Sequence, residues 1–233
     1  MNKHRPFNSC FFISFCILIP SLLHGQVVWT EPAFPTVDDQ VTLYYNSSLG
    51  NGELQGVIPV YIHTGVITSN SSGPSDWQNV QTAWGTSDPL ALLNPEGNGI
   101  HTFDFNGLTV SDYYQLDEGE TVESLAMVFR NSSGTLVGRN ADGSDIFYEV
   151  SSGSFSTSLQ TPENGYAVLD IGDTYTILGQ ASETCELSME INGEVVTTIT
   201  GTSLSYDFEA NDSGQFNITL VGTTDAGSAS DEA

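Results

Sequence analysis

The chain has 233 residues, and its 29 acidic residues far outnumber its 4 lysines and arginines. That length suits one large domain or two smaller ones, each with its own core. Because strong negative charge repels nucleic acids and anionic membrane surfaces, we expect neither as a partner. Neutral glycans are indifferent to this charge and stay open as ligands.

The first 25 residues are predicted to be a secretory signal peptide. Lys3 and Arg5 give a basic start, residues 10–23 are almost all apolar, and Gly25 is a small final residue. This pattern is typical of export, and the apolar run is too short to span a membrane. The alternative is a buried N-terminal core helix. We therefore expect a secreted or cell-surface protein with no membrane span.

Removal of this segment changes the charge and the cysteine content. After residue 25, Arg130 and Arg139 are the only bases, and two bases against 29 acids give a formal charge of −27. Cys185 is the only cysteine left, so no disulfide can form within the exported chain. Packing must therefore supply the stability, and the sequence requires no cofactor.

Residues 26–150 are predicted to form a first β-sandwich. Short alternating apolar runs are separated by turn residues, and no helix-length periodic segment occurs, which is typical of an all-β protein. The predicted strands lie at residues 41–45, 57–63, 100–105, 125–130, 135–139 and 146–150. Between two of them, Asn131 and Gly134 bound a predicted hairpin turn, with Gly134 at positive φ.

A small polar linker at residues 151–160 separates this module from a second predicted β-sandwich at residues 161–233. The clearest strand of the second module alternates apolar residues with polar ones: Cys185, Leu187, Met189 and Ile191. This alternation indicates a half-buried antiparallel strand, so we interpret Cys185 as a core residue rather than a reactive thiol. Asn192 and Gly193 follow at once and predict a two-residue hairpin turn.

The end of the second module combines an immunoglobulin-like turn with a missing strand. The string NDSGQF looks like the turn that enters the sixth strand of an immunoglobulin-like domain, with Phe216 in place of the usual tyrosine. After Val221 no clear apolar strand follows, so we expect a sandwich truncated at its last strand and infer a fragment of a longer protein. The predicted fold class is all-β, with two tandem sandwiches of the immunoglobulin-like or carbohydrate-binding-module type.

The candidate binding site lies in residues 60–85, which place two tryptophans among neutral polar residues. An exposed indole offers a flat apolar surface, and the C–H face of a pyranose ring is complementary to it. Neighbouring neutral side chains could bind the sugar hydroxyls. The candidate carbohydrate-binding residues are Trp84, Trp77, His63, Tyr61 and Gln81.

Two alternatives stay open for these side chains. Either tryptophan could instead lie in the core with its N–H group paired. Tyr61 and His63 alternate on one face of a strand, so either both face solvent and the ligand or both face the core.

Three strings of the first module carry a family resemblance: VVWTEPAFPTVDDQVTLYYN, VYIHTGVITSN with DWQNVQTAWG, and MVFRNSSGTLVGRNADGSDIFYEV. They resemble the region ahead of the catalytic barrel in secreted alpha-amylase family enzymes (glycoside hydrolase family thirteen) of Bacteroidota. The second module is similar to the sandwich that follows in such precursors. The resemblance implies a starch-binding first module, a spacer behind it and alpha-glucan as the ligand. It implies no catalysis by this chain, because the barrel would begin beyond Ala233.

The string NADGSD, residues 140–145, is a second candidate site. Asn140, Asp142 and Asp145 place oxygen ligands around Gly143, loosely as in a short calcium loop, but the bidentate glutamate of an EF-hand is missing. The alternative is a polar hairpin turn with Asp142 and Gly143 at its tip. Calcium is therefore the one cofactor that the sequence suggests.

Three functional hypotheses follow. The leading one is a secreted, monomeric, non-catalytic pair of modules that binds alpha-glucan through the first module. The rival is a structural or adhesive immunoglobulin-like protein without affinity for glycans. An enzyme is the least favoured, because the sequence has no HExxH, GxSxG or glycine-rich phosphate motif, and two small sandwiches seldom hold paired carboxylates across a cleft.

Overall fold

The computed structural model describes residues 26–162 and 165–233. The predicted signal peptide, residues 1–25, lies outside the described residues. Within them strands dominate and one short α-helix occurs, which confirms the all-β fold class. No helix in these two ranges is both long enough and apolar enough to cross a membrane.

The described residues form thirteen strands and one α-helix. In chain order these are β1 (Val28–Glu31), β2 (Thr42–Asn46), β3 (Tyr61–Thr68), β4 (Asn94–Gly97), β5 (Ile100–Phe103), α1 (Val110–Tyr114), β6 (Val122–Arg130), β7 (Val137–Gly138), β8 (Ile146–Glu149), β9 (Thr157–Leu159), β10 (Thr174–Ile191), β11 (Glu194–Glu209), β12 (Ile218–Thr224) and β13 (Gly227–Glu232). Short 3-10 turns at Pro89–Ala91 and Phe105–Gly107 precede β4 and α1.

The first module is a sandwich of two antiparallel sheets. Sheet I has the order β1-β2-β5-β4, and sheet II has the order β3-β6-β7 with β8 also paired to β6. Leu43 and Tyr45 of sheet I and Met127 and Phe129 of sheet II are almost fully buried between them. Tyr45 stacks on Phe129 with ring centroids 3.7 Å apart, so this aromatic pair joins the two layers.

Helix α1 packs its tyrosines against the same core. The Tyr114 hydroxyl is fully buried and lies 2.6 Å from the Thr64 hydroxyl of β3, which pairs an otherwise costly buried group. At the start of the helix, the Thr109 hydroxyl accepts a hydrogen bond from the Asp112 N–H at 3.1 Å. A helix of five residues is too short to show helical periodicity, which explains why the sequence predicted none.

The outer face of sheet II is covered rather than exposed to solvent. The register of β3 against β6 places Tyr61 opposite Arg130 and His63 opposite Val128, so these four side chains share that face. Tyr61 is nevertheless only 7% exposed, and Arg130 and Val128 are buried too. The long segment that follows β3 is what covers them.

Gly65 allows that segment to approach the sheet. Gln78 and Val66 exchange two backbone hydrogen bonds of 2.8 and 3.0 Å, which lay the loop along the edge of β3. A Cβ atom on Gly65 would lie 2.7 Å from the Gln78 carbonyl oxygen and 3.2 Å from the Trp77 Cβ. Only glycine leaves room for the loop here, so Gly65 helps to place the tryptophan stretch.

The second module is built from one sheet that folds back on itself. Sheet III has the order β11-β10-β12-β13, and β9 also pairs with β10. The 18-residue strand β10 changes register against β11 between Gln180 and Cys185. Before this shift β10 pairs with β9, and after it β10 pairs with β12. The two halves of the sheet face each other as the layers of a sandwich.

Two glycines lie where these layers touch. A Cβ atom on Gly179 would be 2.6 Å from the Leu220 side chain, and one on Gly222 would be 2.8 Å from the Phe155 ring. Leu220 is fully buried, and Cys185 is 4% exposed in the same core. The prediction that Cys185 is a core residue is confirmed.

Both predicted hairpin turns are confirmed. The Gly134 N–H donates to the Asn131 carbonyl at 3.1 Å, and Gly134 has φ of +71°. Asn192 and Gly193 have φ values of 53° and 81°, and they join β10 to β11 directly. Positive φ at both central residues matches the twist of the flanking strands.

Three of the differences between the observed and the predicted strands have a clear physical reason. β3 begins at Tyr61 rather than at residue 57, because Pro59 has no N–H group for a strand ladder. The predicted linker contains β9, which pairs with β10 and so belongs to sheet III. β13 forms although no final strand was expected, because its backbone pairs with β12 while its small, polar side chains show no apolar pattern.

The close approach at Gly179 leads to a stability prediction. Gly179→Ala should lower the free energy of unfolding by about 1–3 kcal/mol, since the buried Leu220 must move to admit the methyl group. Gly201→Ala is the matched control, because its Cβ would meet only Ile199 at an ordinary 3.5 Å. The control should be neutral or stabilise by up to about 1 kcal/mol. Urea unfolding of both variants measures this, and equal effects would contradict the folded-back sheet.

Candidate functional site

Three of the predicted site residues lie together in a row of rings. The centroid of the His63 ring is 5.1 Å from that of Trp84 and 5.9 Å from that of Trp77. Trp84 is 46% exposed, whereas Trp77 and His63 are half-buried. The two distances add to 11.0 Å, which is the greatest separation the indole centroids can have. We call these three side chains the ring row.

The ring row is angled rather than flat. The His63 ring is perpendicular to Trp84, at 90°, and inclined by 32° to Trp77. The two indole planes must therefore differ by at least the difference of these angles, 58°. The two indoles are therefore not coplanar, and each contacts the His63 ring at a different angle.

Hydrogen bonds of the loop hold Trp77. Its Nε1 donates to the Pro74 carbonyl at 2.9 Å, so the polar edge of the indole is paired within the loop. The Asp76 carboxylate accepts hydrogen bonds from the Ser72 N–H at 2.9 Å and the Ser72 hydroxyl at 3.0 Å. These bonds keep the pKa of Asp76 below its usual value, because they favour the charged carboxylate.

Trp84 rests on the hairpin between β6 and β7. A Cβ atom on Gly134 would lie 2.8 Å from the Trp84 Nε1, so any larger residue would displace the indole. Gly134 also needs its positive φ for the turn, at +71°. Gly134 is therefore needed twice: its positive φ forms the turn, and its missing side chain leaves room for the Trp84 indole.

A buried arginine, Arg130, lies next to Trp84. Its side chain is fully buried, and the guanidinium lies 5.1 Å from the Tyr61 ring centroid and 5.9 Å from that of Trp84. Nη2 donates to the Thr86 carbonyl at 2.6 Å, and Nη1 donates to the Asn131 carbonyl at 3.1 Å. Within the described residues this guanidinium forms no ion pair with a carboxylate.

The contacts of Arg130 connect two segments. Thr86 belongs to the loop that carries Trp84, and Asn131 belongs to the hairpin on which Trp84 rests. An arginine presents several donors in a fixed plane, so one side chain can bind carbonyls of both segments. The loop and the hairpin are therefore joined through one cation. Burial lowers the pKa of the Arg130 guanidinium, although the neighbouring Tyr61 opposes this shift.

His63 is held in its neutral form by its surroundings. Burial lowers the pKa of His63 most, the positive charge of Arg130 lowers it further, and a hydrogen bond with the Thr82 backbone opposes both. Its Nδ1 atom is buried without a hydrogen-bond partner among the described residues. A neutral imidazole suits a surface that binds uncharged ligands.

The other two predicted site residues lie elsewhere. Tyr61 shares the outer face with His63 but lies under the loop beside Arg130, where a ligand could not reach it. Neither of the two predicted alternatives holds, since one face contains a buried tyrosine and a half-buried histidine. Gln81 hydrogen-bonds the Asn79 carbonyl at 2.9 Å and lies near Gln115, so its contacts are with the neighbouring loop and α1 rather than with the rings.

Residues 140–145 form the hairpin turn that was the alternative to a calcium loop. The Gly143 N–H donates to the Asn140 carbonyl at 2.9 Å, and Asp142 accepts from the Ser144 N–H at 2.9 Å. Asp145 is engaged in an ion pair with Arg139. The described residues contain no group of three or more histidine, cysteine or acidic side chains placed to hold a metal ion. Calcium binding stays a prediction.

Sequence reasoning missed two residues of the site. Arg130 ends the buried run at residues 125–130 of β6, and this one charged residue among apolar ones was the available signal. Gly134 was recognised for its turn, but its contact with Trp84 joins segments about 50 residues apart and leaves no local pattern.

Comparison with known proteins adds little to this picture. No family model and no curated protein matches the chain. A solved chain from a study of the structural basis for Dscam isoform specificity is 10% identical, with 75% of this chain and 37% of that chain covered and a TM-score of 0.28. The structure of the N-terminal four Ig domains of Dscam1 isoform 8.4 is 12% identical. It covers 75% of this chain and 36% of its own chain, with a TM-score of 0.27. The chain thus spans little more than a third of the length of these two solved chains. TM-scores this low support no structural comparison.

The role of Arg130 can be tested through the mobility of the loop. Arg130→Met should remove the arginine donor from the Thr86 carbonyl and one of the two donors from the Asn131 carbonyl, which keeps its bond from the Gly134 N–H, at a total cost of about 1–3 kcal/mol. Amide hydrogen exchange at residues 82–88 and 131–136 should then accelerate. Arg139→Lys is the matched control and should change stability by no more than about 1 kcal/mol, because its ion pair is partly exposed. Unchanged exchange in Arg130→Met would refute the support role.

His63 should make stability depend on pH. Its folded pKa is lowered, so below the unfolded value of about 6.5 the unfolded state binds the proton more readily and stability falls. Between pH 7 and pH 5 the unmodified chain should therefore lose more free energy of unfolding than the His63→Gln variant. The carboxylates titrate in the same way in both proteins, so the difference reports on His63. Proton NMR of the His63 ring gives its pKa directly. A value at or above 6.5 would contradict this account.

Proposed function

We propose that the chain is a secreted, non-catalytic pair of modules that binds alpha-glucan through the ring row. The observation that carries this proposal is the 46% exposure of Trp84, on an indole seated by Gly134 and supported by a buried arginine. An indole that is exposed to water but fixed in position retains little freedom that a ligand would have to restrict. Such preorganisation favours binding.

The angle of the ring row supports a curved ligand. A flat, extended glycan presents parallel sugar faces, whereas a helical alpha-glucan turns successive faces relative to each other. Indole planes that differ by at least 58° fit the second kind of chain better. The resemblance to modules ahead of alpha-amylase barrels supports the same ligand, and on that resemblance we propose that the chain comes from the N-terminal part of such an enzyme.

The chemistry around the rings supports an uncharged ligand. Trp84 and Trp77 offer apolar faces, and His63 between them is held neutral. If each indole lost about 80 Å² of apolar surface to a sugar, stacking would contribute roughly 2 kcal/mol per ring. Ordering costs reduce this sum, so we expect dissociation constants in the micromolar to millimolar range, weighted to the weak end because Trp77 is half-buried.

The proposal includes the absence of catalysis by this chain. Its described residues form sandwiches and hold no catalytic barrel. We therefore expect no release of reducing sugar from starch by the exported chain, and we propose that it acts as a monomer outside the cell. Measurable release by the purified chain would overturn the non-catalytic assignment.

A structural or adhesive function is the second candidate. Tyr166, Val168 and Ile171, which are close in the sequence of the second module, are 72%, 88% and 69% exposed, and exposed large apolar side chains favour contact with another protein. They lie outside the ring row, so this function is independent of sugar binding. A chain that binds no glucan would leave it as the better account.

Affinity electrophoresis tests the glucan proposal. The exported chain should migrate more slowly in native gels that contain amylopectin, and Trp84→Ala should weaken binding about 30-fold through loss of roughly 2 kcal/mol of stacking. Trp77→Ala should have a smaller effect. Tyr166→Ala is the matched control, because it removes an exposed aromatic ring of the second module, and its retardation should be unchanged.

The outcomes separate the candidates. Unchanged mobility of the exported chain would remove the glucan proposal and favour the adhesive one. Normal binding by Trp84→Ala would move the site away from the ring row.

A further inference from the structure

A cleft lies at the junction of the two modules. Its volume is about 570 Å³, within the ~300–1,000 Å³ of small-molecule sites, which are common at domain junctions. β8 and Phe34 of the first module line it together with β9 of the second. Gln26 and Gln160 join the two modules there, because the Gln26 Nε2 donates to the Gln160 side-chain oxygen at 2.9 Å and to its carbonyl at 3.1 Å.

Two buried polar atoms of this lining have no hydrogen-bond partner within the described residues. They are the Gln26 Oε1 and the Thr157 Oγ1. Because Gln160 occupies the Gln26 amide nitrogen, the oxygen is left as an acceptor. The Thr157 methyl faces the Gly222 position, where a Cβ would lie 2.7 Å from it, so the hydroxyl points away from that core contact. Both residues line the cleft, and an O–H donor that enters it would recover the cost of these unpaired groups once the side chains turn their oxygens towards it.

The rest of the lining, whose acids are Glu149 and Asp231, disfavours an anionic ligand. Among the described residues, the cleft has no lysine or arginine to bind a phosphate or a carboxylate. Of its acids, Asp231 already accepts a hydrogen bond from the Leu159 N–H at 2.7 Å. Phe147 of β8 is 40% exposed and offers an apolar face. Hydroxyl donors combined with an apolar ring face are the features of a neutral sugar.

We propose that the cleft is a second saccharide site, which takes a short neutral oligosaccharide. Gln26 and Thr157 accept hydrogen bonds from sugar hydroxyls, and Phe147 packs on a pyranose face. The ligand class follows from this lining and not from Trp84, so the proposal goes beyond the ring row and does not depend on it. A ligand held by both modules also fixes one module against the other.

Hydrogen exchange of the exported chain tests the proposal. We would add maltotriose or cellotriose at millimolar concentration to the native chain and to Trp84→Ala, in which the ring row is disabled. Exchange at residues 146–149 and 157–160 should slow in both proteins. Phe147→Ala and Gln26→Ala should each weaken this protection at least tenfold, whereas the control Tyr166→Ala, an exposed ring that is absent from the lining, should retain it.

The possible outcomes separate this site from the ring row. Protection at the junction that survives in Trp84→Ala and is lost in Phe147→Ala supports the second site, whether or not the ring row binds. Protection confined to residues 60–92 overturns the second site and leaves the glucan proposal intact. No protection with either trisaccharide overturns it as well, and bridging water then satisfies Gln26 and Thr157.

Discussion

The buried guanidinium of Arg130 is the constraint on which the candidate site depends. An arginine stays charged in proteins, and burying a charge is costly unless its donors are satisfied. Here neutral carbonyls of Thr86 and Asn131 and the faces of Tyr61 and Trp84 compensate in part instead of a carboxylate, while the buried Nε has no hydrogen-bond partner among the described residues. Every one of these groups belongs to a segment that must be in place for the indole to be presented. The exposed Trp84 ring is thus held in place by contacts of the buried Arg130.

Much of the fold could be predicted because it depends on local patterns. The strand through Cys185 alternates apolar and polar residues, and the turns at Gly134 and Gly193 carry residues that tolerate positive φ. β13 could not be predicted, because hydrogen bonds to β12 hold it and its side chains contribute little burial. The folding back of sheet III also left no local signal, since it depends on the absence of a side chain at Gly179, opposite a leucine 41 positions later.

The site was only partly predictable for the same reason. Residue types identified Trp77, Trp84 and His63, and the structure brings their rings together. The exposure of Tyr61 could not be deduced from alternation, because that rule assumes a bare outer face. Gly65 admits a loop onto this face and changes the outcome for each residue on it. Which side of a strand is solvated is thus a tertiary property, even where its periodicity is clear.

The strong negative charge of the chain is compatible with the uncharged ligands proposed for the two candidate sites. With a formal charge of −27 after residue 25, the long-range field repels anions and exerts little force on an uncharged glycan. Binding then rests on short-range stacking and hydrogen bonds, which are weak at any one site. A polysaccharide, however, offers many equivalent segments. If both proposed sites bind such a ligand, each raises its effective concentration for the other, so affinity grows without stronger contacts at either.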